Sequence, residues 1–462
     1  MRPQGGQSAL PRTVLAAYAA PAFSQALIHG PVNTVIQGIY GKHFGLSLAS
    51  IAAVLVIARI FDAVTDPVIG YLSDRYRTRW GNRKPWLVSG SLLAVVACWF
   101  LYVPMEEVTT AYFLFWFLLA YLGWTISEIP YRAWLAELSL DYNERTRIAT
   151  WRTFARYLGF IAFYGIPFLP IFATTEFTPE TLRVTALLAT VALPATAIIA
   201  AIVVPRGHEG RPAEAPRLHA AWPALVHNKP LLLFLLTYAV GGLATGCAFG
   251  LLFFFVDSHL GLGGTLALLF VLGAPIGALA MPFWNWLAQR IGKQKTWAIA
   301  YTASAVFLLL HLWIPAGPSG EPWLIVLFVL VFAVSSVGVV MPAALLADVV
   351  DYGRWKFRRD FAGTYFSVQT MVEKGVEGLG VAMGLAVVAW FGFDPQLDQQ
   401  SSRGTVGLLL GFPVLPVVLT LLTVPLIWNF PIDARRQKII ARRLAQREAA
   451  GARKQLATGG AL

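Results

Sequence analysis

In a chain of 462 residues, 57% of the side chains are hydrophobic and only 13% are charged, against about 25% charged in soluble domains. With a mean hydropathy of +0.62, such a chain would expose large apolar patches in water, so a soluble globular domain is excluded and lipid is the solvent for most of its surface. The net charge of +12 sits in loops between apolar runs, where it contacts anionic headgroups and requires no nucleic acid as partner.

A helix needs about 20 apolar residues to cross the hydrocarbon. Segments of that size run from end to end: 13–40, 47–72, 84–104, 109–137, 146–174, 180–205, 229–257, 263–288, 294–315, 321–350, 362–393 and 404–430. They predict an all-α membrane protein with twelve spans. Barrel strands are excluded, because the segments lack polar–apolar alternation and are too long. The first segment is too long for a signal h-region and is followed by no cleavage site, so it reads as span 1. Cys98 and Cys247 fall inside spans as small buried thiols, and no CxxC, metal spacing or disulfide framework appears.

Lys and Arg crowd alternate loops: Arg75, Arg77, Arg79, Arg83 and Lys84; Arg145 and Arg147; Arg206, Arg211, Arg217 and Lys229; Arg290, Lys293 and Lys295; Arg354, Lys356, Arg358 and Arg359. The intervening loops hold Lys42, then Glu106 and Glu107, Glu176 and Glu180, Glu321, and finally Asp394, Asp398 and Arg403. By the positive-inside bias this is a multi-pass protein of the inner cell membrane with both termini cytoplasmic. The tail from Asp433 to Leu456 carries Arg435, Arg436, Lys438, Arg442, Arg443 and Arg447 around Ile439, Ile440 and Leu444. It reads equally as a helix along the membrane surface or as a solvated tail.

The polar stretch 206–228, with Pro212 and Pro216, divides the spans six and six. This predicts a bundle over 1–205, a cytoplasmic connector over 206–228, a second bundle over 229–430 and a basic tail over 431–462. The halves echo one another. Pro67 and Arg75 recur 215 positions on as Pro282 and Arg290, and Leu135-Ala136-Glu137 recurs 211 positions on as Leu346-Ala347-Asp348. Weak repeats of six-span halves are the pattern of major-facilitator transporters, with the substrate path between the halves.

Ionisable residues at membrane depth are costly and usually face a cavity or a partner. Span 2 carries Arg59, Asp62 and Asp66, at i,i+3 and i,i+4 on one helical face. Two carboxylates a turn apart repel, and Arg59 offsets only one, so a bound Na⁺ or a proton is the economical answer; the rival is a static ion-pair network. Span 4 adds Thr125, Glu128 and Arg132 along one face, with Pro130 permitting a kink. Span 5 offers Arg152 and Arg156, and span 11 carries Glu373 and Lys374, which point about 100° apart and so face different partners. His29 in span 1 reads as a packed, hydrogen-bonded histidine. No nucleophile–base set, metal motif or nucleotide loop appears, and an enzyme is not expected.

At these residues the chain resembles the glycoside–pentoside–hexuronide:cation symporter family. The matching strings are Arg59…Asp62-Ala63…Asp66-Pro67…Gly70, Gly81…Lys84-Pro85-Trp86, Ala347-Asp348…Asp351-Tyr352-Gly353…Lys356, and Tyr365 through Gly375. The resemblance covers both halves in the family's order. It implies a major-facilitator fold and cation-coupled symport of a sugar, glycoside or sugar acid, by a protein functional as a monomer. It implies a cation site for Na⁺ or H⁺ at Asp62, Asp66 and Thr125, with no other cofactor. It also implies substrate contacts at Glu128, at Lys374 and at or beside Arg152; the in-span charges themselves add Arg132 and Arg156 to the expected substrate site, and Arg59 and Glu373 as expected coupling ion pairs. The family's span 1 carboxylate falls at Ala26, its stacking tryptophan at Arg132 and the asparagine between its cation aspartates at Thr65. These departures point away from a neutral galactoside and towards an anionic sugar. A lysophospholipid symporter on the same scaffold, or a sensor that keeps the fold, are the rival expectations.

Overall fold

The structure, a computed structural model, describes residues 10–459 except 77, 106, 140, 208–217, 360 and 398. Arg77, Glu106, Arg211, Pro212, Pro216, Arg217 and Asp398 of the sequence reading therefore lie outside the described residues. Helices occupy all twelve apolar segments. They are α1 (Arg12–Thr34) with α2 (Ile36–Lys42), α3 (Leu48–Arg75), α4 (Lys84–Tyr102), α5 (Thr110–Leu138), α6 (Tyr142–Gly165) and α7 (Pro179–Val203) in the first half. A short α8 (Leu218–Val226) then leads to α9 (Lys229–Phe254), α10 (Leu266–Ile291), α11 (Lys293–Leu309), α12 (Glu321–Ser335) with α13 (Val337–Phe357), α14 (Ala362–Trp390), and α15 (Ser402–Leu409) with α16 (Leu415–Trp428). The tail is helical too, as α17 (Ala434–Gly459).

Local chemistry sets these bounds. Side chains of Ser47, Thr109, Asp141 and Asn228 accept the backbone N–H three residues on and so start α3, α5, α6 and α9. Span 1 contains Pro31 and is interrupted at Val35, where φ is −120°. Gln37 Nε2 donates to the Val32 carbonyl at 3.0 Å, the Thr34 hydroxyl donates to the Gly30 carbonyl at 3.0 Å, and the Tyr102 hydroxyl donates to that of Ile28. Within lipid such side-chain donors satisfy the carbonyls that a broken helix leaves exposed.

Among the described residues, nine helical stretches are long and apolar enough to cross a membrane. The spans outside that set are α1, α6 and α14, where polar residues interrupt the apolar run. They are held by neighbours: α1 packs on α6 and α7, and α14 on α9 and α3. The α9–α14 contact is backbone-close. A Cβ on Gly246 would sit 2.1 Å from the Glu377 carbonyl oxygen, and one on Gly380 would sit 2.4 Å from that of Leu243.

The internal repeat has a structural counterpart at the end that bears the basic loops. Arg83 Nε donates to Glu137 Oε1 at 2.7 Å, and Lys293 Nζ donates to Asp348 Oδ2 at 2.7 Å. These pairs stand 210 and 211 positions apart, each joining the loop after the second span of a half to the end of its fourth. At the opposite end the halves meet. Lys42 Nζ lies 2.9 and 2.7 Å from the two Asp257 carboxylate oxygens, Thr175 donates to the Gly264 carbonyl at 2.8 Å, and Tyr164 stacks on Phe270 with centroids 4.1 Å apart.

Candidate functional site

Midway along the helices the in-span charges gather into two groups. In the first, Arg59 Nη1 lies 3.1 Å from Asp62 Oδ2, and its guanidinium lies over the Tyr121 ring at 4.6 Å. The i,i+3 spacing on α3 puts these side chains on one face. One turn on, Asp66 has two partners: Thr125 Oγ1 donates to its Oδ1 at 3.1 Å, and Lys374 Nζ donates to its Oδ2 at 2.5 Å. Lys374 reaches across from α14 in the other half, and its ammonium lies over the Trp124 ring at 5.4 Å.

The aspartates thus need no bound ion to be neutralised in this conformation. Arg59 offsets Asp62 and Lys374 offsets Asp66, an ion-pair network of the kind that the sequence analysis held as the rival of a bound Na⁺ or proton. Asp62 is 7% exposed, and its Oδ1 has no hydrogen-bond partner.

The second group is built on Glu128 of α5, which is 4% exposed. Arg132 Nε, one turn on, and Arg152 Nη2, from α6, each donate to Glu128 Oε1 at 2.5 Å. Arg152 also lies over the Tyr131 ring at 5.0 Å. Two buried polar atoms stay unpartnered here, Glu128 Oε2 and Arg152 Nε. Arg156, a further turn along α6, lies within electrostatic reach of Glu128, Arg152 and Arg132 and is solvent-accessible. One carboxylate therefore faces three guanidinium groups.

Lys374 joins the aspartates, whereas the sequence reading grouped it with these arginines. Its neighbour Glu373 turns the other way, as the 100° offset predicts. It accepts from Gln369 Nε2 at 3.2 Å and bonds the Tyr238 side chain of α9. His29 stacks on Trp124 with centroids 4.4 Å apart, which agrees with a packed histidine. Glu377 escaped the sequence reading, although its i,i+4 spacing from Glu373 was a usable signal. It lies within electrostatic reach of Glu373 and Arg59. Tyr121 and Trp124, which floor the two cations on either side of the half boundary, gave no sign in an aromatic-rich span.

The sequence profile of the family described as MFS/sugar transport protein matches residues 17–434. The chain belongs to this family. It is a major-facilitator transporter and not an enzyme. Among its relatives is the isoprimeverose transporter of Lactiplantibacillus pentosus, 26% identical over 436 residues, which span 92% of this chain and 89% of the relative. Another is the glucuronide carrier protein homolog of Escherichia coli K12, 23% identical over 86% of this chain and 87% of the relative. Among solved structures, a bacterial homologue of the iron transporter ferroportin superposes with TM-score 0.66 over 91% of this chain and 98% of its own, at 14% identity. The nucleoside transporter NupG superposes with TM-score 0.63 over 89% of this chain and 98% of its own, at 15% identity. These two support the fold.

At Ala26, where the resemblance set out above expects a carboxylate, the structure gives the physical setting. Ala26 is 2% exposed and closes on Gly159 of α6, where an added Cβ would lie 2.7 Å from its own. A longer carboxylate at position 26 would meet α6 at that contact. Arg132, by contrast, is 41% exposed at its side chain.

Proposed function

We propose that the protein is a cation-coupled symporter of a sugar acid or anionic glycoside, working by alternating access. The observation that carries this reading is the Lys374–Asp66 ion pair, made between the halves at the oxygen pair that Thr125 also touches. In this reading the Lys374 ammonium fills the coupling-ion position. Na⁺ or H⁺ arriving at Asp62, Asp66 and Thr125 releases it, and the halves are then free to rearrange. Carboxylate and hydroxyl oxygens are hard ligands suited to either ion. Coupling then follows from differential affinity, because ion and α14 compete for one carboxylate.

The substrate is assigned to the Glu128 group. Glu128 Oε2 and Arg152 Nε are buried here with unused hydrogen-bonding capacity, which a sugar hydroxyl and a sugar oxygen would take up once the site opens to substrate. The charge that Glu128 leaves uncompensated on Arg132, Arg152 and Arg156 suits a carboxylate, which an arginine holds bidentately. Carbohydrate carriers among the relatives support this class over a lysophospholipid. The same reading keeps the bundles at 1–205 and 229–430, the connector at 206–228, both termini in the cytoplasm and a monomer as the working unit. The conformation is then inward-facing, closed by Lys42–Asp257 and open at the basic end.

The test is uptake by proteoliposomes driven by an imposed Na⁺ or H⁺ gradient, with a glycoside and its matched uronic acid as substrates. Accumulation of the acid above equilibrium under either gradient is the expected result. Facilitated equilibration with no response to either ion would end the coupling assignment, and equal handling of acid and neutral sugar would end the anion assignment.

A further inference from the structure

Five residues separate the end of α16 at Trp428 from the start of the tail helix α17 at Ala434. The six steps between those helix ends reach at most about 22 Å, so α17 stays near the level where the transmembrane helices leave the lipid. It is seated on the end of α13. Ile440 is 8% exposed, Arg447 Nη1 donates to the Trp355 carbonyl at 2.8 Å, and Arg443 lies over the Trp355 ring at 5.7 Å. The apolar side of the helix is thus spent on the protein itself.

The opposite side is cationic. Arg435, Lys438 and Arg442 are exposed at helical spacing, and Ile439 stands among them at 44% exposure. From 433 to 447 the sequence holds six basic residues and one acidic residue, Asp433. Asp433 is occupied in capping α17, where it accepts the Arg436 N–H at 2.7 Å. Exposed Arg359 and the basic end of α13 extend the same surface.

We propose that the outer face of α17 is a docking surface for the anionic phospholipid headgroups of the adjoining leaflet, and that it ties the second half of the transporter to membrane charge. Three features favour lipid over a soluble acidic partner. The tether to the last transmembrane helix is short, the helix is seated on the end of another transmembrane helix, and the exposed isoleucine among the cations suits the headgroup–acyl boundary. A purely polyanionic partner has no use for Ile439.

The experiment places a spin label at Ile439→Cys in the full-length protein, with vesicles of phosphatidylcholine alone or mixed with phosphatidylglycerol. Access to a lipid-soluble relaxation agent is compared with access to a water-soluble one. Anionic lipid is expected to move the label towards the lipid-soluble agent, and high salt to reverse it. Arg435→Gln, Lys438→Gln and Arg442→Gln together should weaken docking on the phosphatidylglycerol surface by about a hundredfold, since each cation near an anionic surface is worth about fivefold. The Tm in neutral lipid reports that this variant is folded. A label indifferent to phosphatidylglycerol overturns the proposal. So does a triple variant that responds as the native protein does, or a response reproduced by soluble polyphosphate in neutral vesicles.

Discussion

Lys374 and Asp66 stand 308 positions apart in the chain and 2.5 Å apart in space, each on a different half of the transporter. The same aspartate accepts from Thr125 within its own half at 3.1 Å. One carboxylate therefore holds both the local polar contact and the bridge between bundles, so whatever neutralises it decides whether that bridge exists.

Asp66→Asn removes the charge that draws Lys374 across and the acceptor best suited to a cation. Gradient-driven accumulation of substrate is expected to disappear, while substrate exchange at equal ion concentrations on both sides survives. Counterflow and concentrative uptake, run on the same proteoliposomes, separate the two. Concentrative uptake at the native rate would reduce the pair to a structural tie.

Glu128→Gln leaves Arg132 and Arg152 without their shared counter-charge, and Arg152 is only 15% exposed at its side chain. Breaking a buried pair by removing one partner typically costs about 3–5 kcal/mol. A marked fall in Tm is expected together with loss of substrate binding. Glu128→Gln with Arg152→Gln should recover part of the Tm without recovering binding, because the orphaned charge is gone but the site is not rebuilt. Calorimetric melts of the single and double variants provide the comparison.

The spans and the helical faces of their charges were readable because both depend on local spacing: apolar runs of membrane length, and i,i+3 or i,i+4 intervals such as Arg59–Asp62–Asp66. The partner of Lys374 was not readable. The 100° rule placed Lys374 and Glu373 on different sides, but which side met which half depends on how α14 lies on α3 and α9. The break at Val35 was not readable in the continuous segment 13–40, because it goes with Gln37 and Tyr102 reaching carbonyls of α1 from elsewhere in the fold. The seat of α17 on Trp355 was hidden for the same reason, since a basic amphipathic stretch carries no address for its apolar face.

Lys42→Met should weaken closure at the end opposite the basic loops. The pair is one charge-assisted contact, with Lys42 33% and Asp257 6% exposed at their side chains. Such a contact is worth about 1 kcal/mol, roughly fivefold in the balance between conformations. Spin labels at Met105→Cys and Trp313→Cys, both exposed, report the separation of the halves at that end. The longer distance is expected to gain population, and Lys42→Asp with Asp257→Lys to restore the native distribution. An unchanged distribution in Lys42→Met would mean that Tyr164 and Phe270 suffice for closure.

Arg132→Gln should erase most of the preference for a uronic acid over its neutral glycoside while leaving ion binding intact, because Arg132 touches Glu128 and not Asp62 or Asp66. Arg156→Gln should act in the same direction. Isothermal titration with the matched sugars, at fixed ion concentration, gives the ratio of affinities. A ratio that survives both substitutions would place the anion elsewhere.

The three spans too polar to count as membrane-crossing by composition bear on how the protein is made. A charged side chain at the centre of a helix adds about 2.5–3.5 kcal/mol to the cost of membrane insertion, and α6 carries Arg152 and Arg156 while α14 carries Glu373, Lys374 and Glu377. Neither helix should settle in the bilayer as an independent unit during synthesis. Glu128 on α5 is already laid down when α6 emerges, so α6 enters against a waiting counter-charge. Asp66 is laid down 308 residues before Lys374. The first bundle thus acts as an acceptor for the eleventh span, and the order of translation supplies each exposed charge with its partner in the bilayer ahead of it.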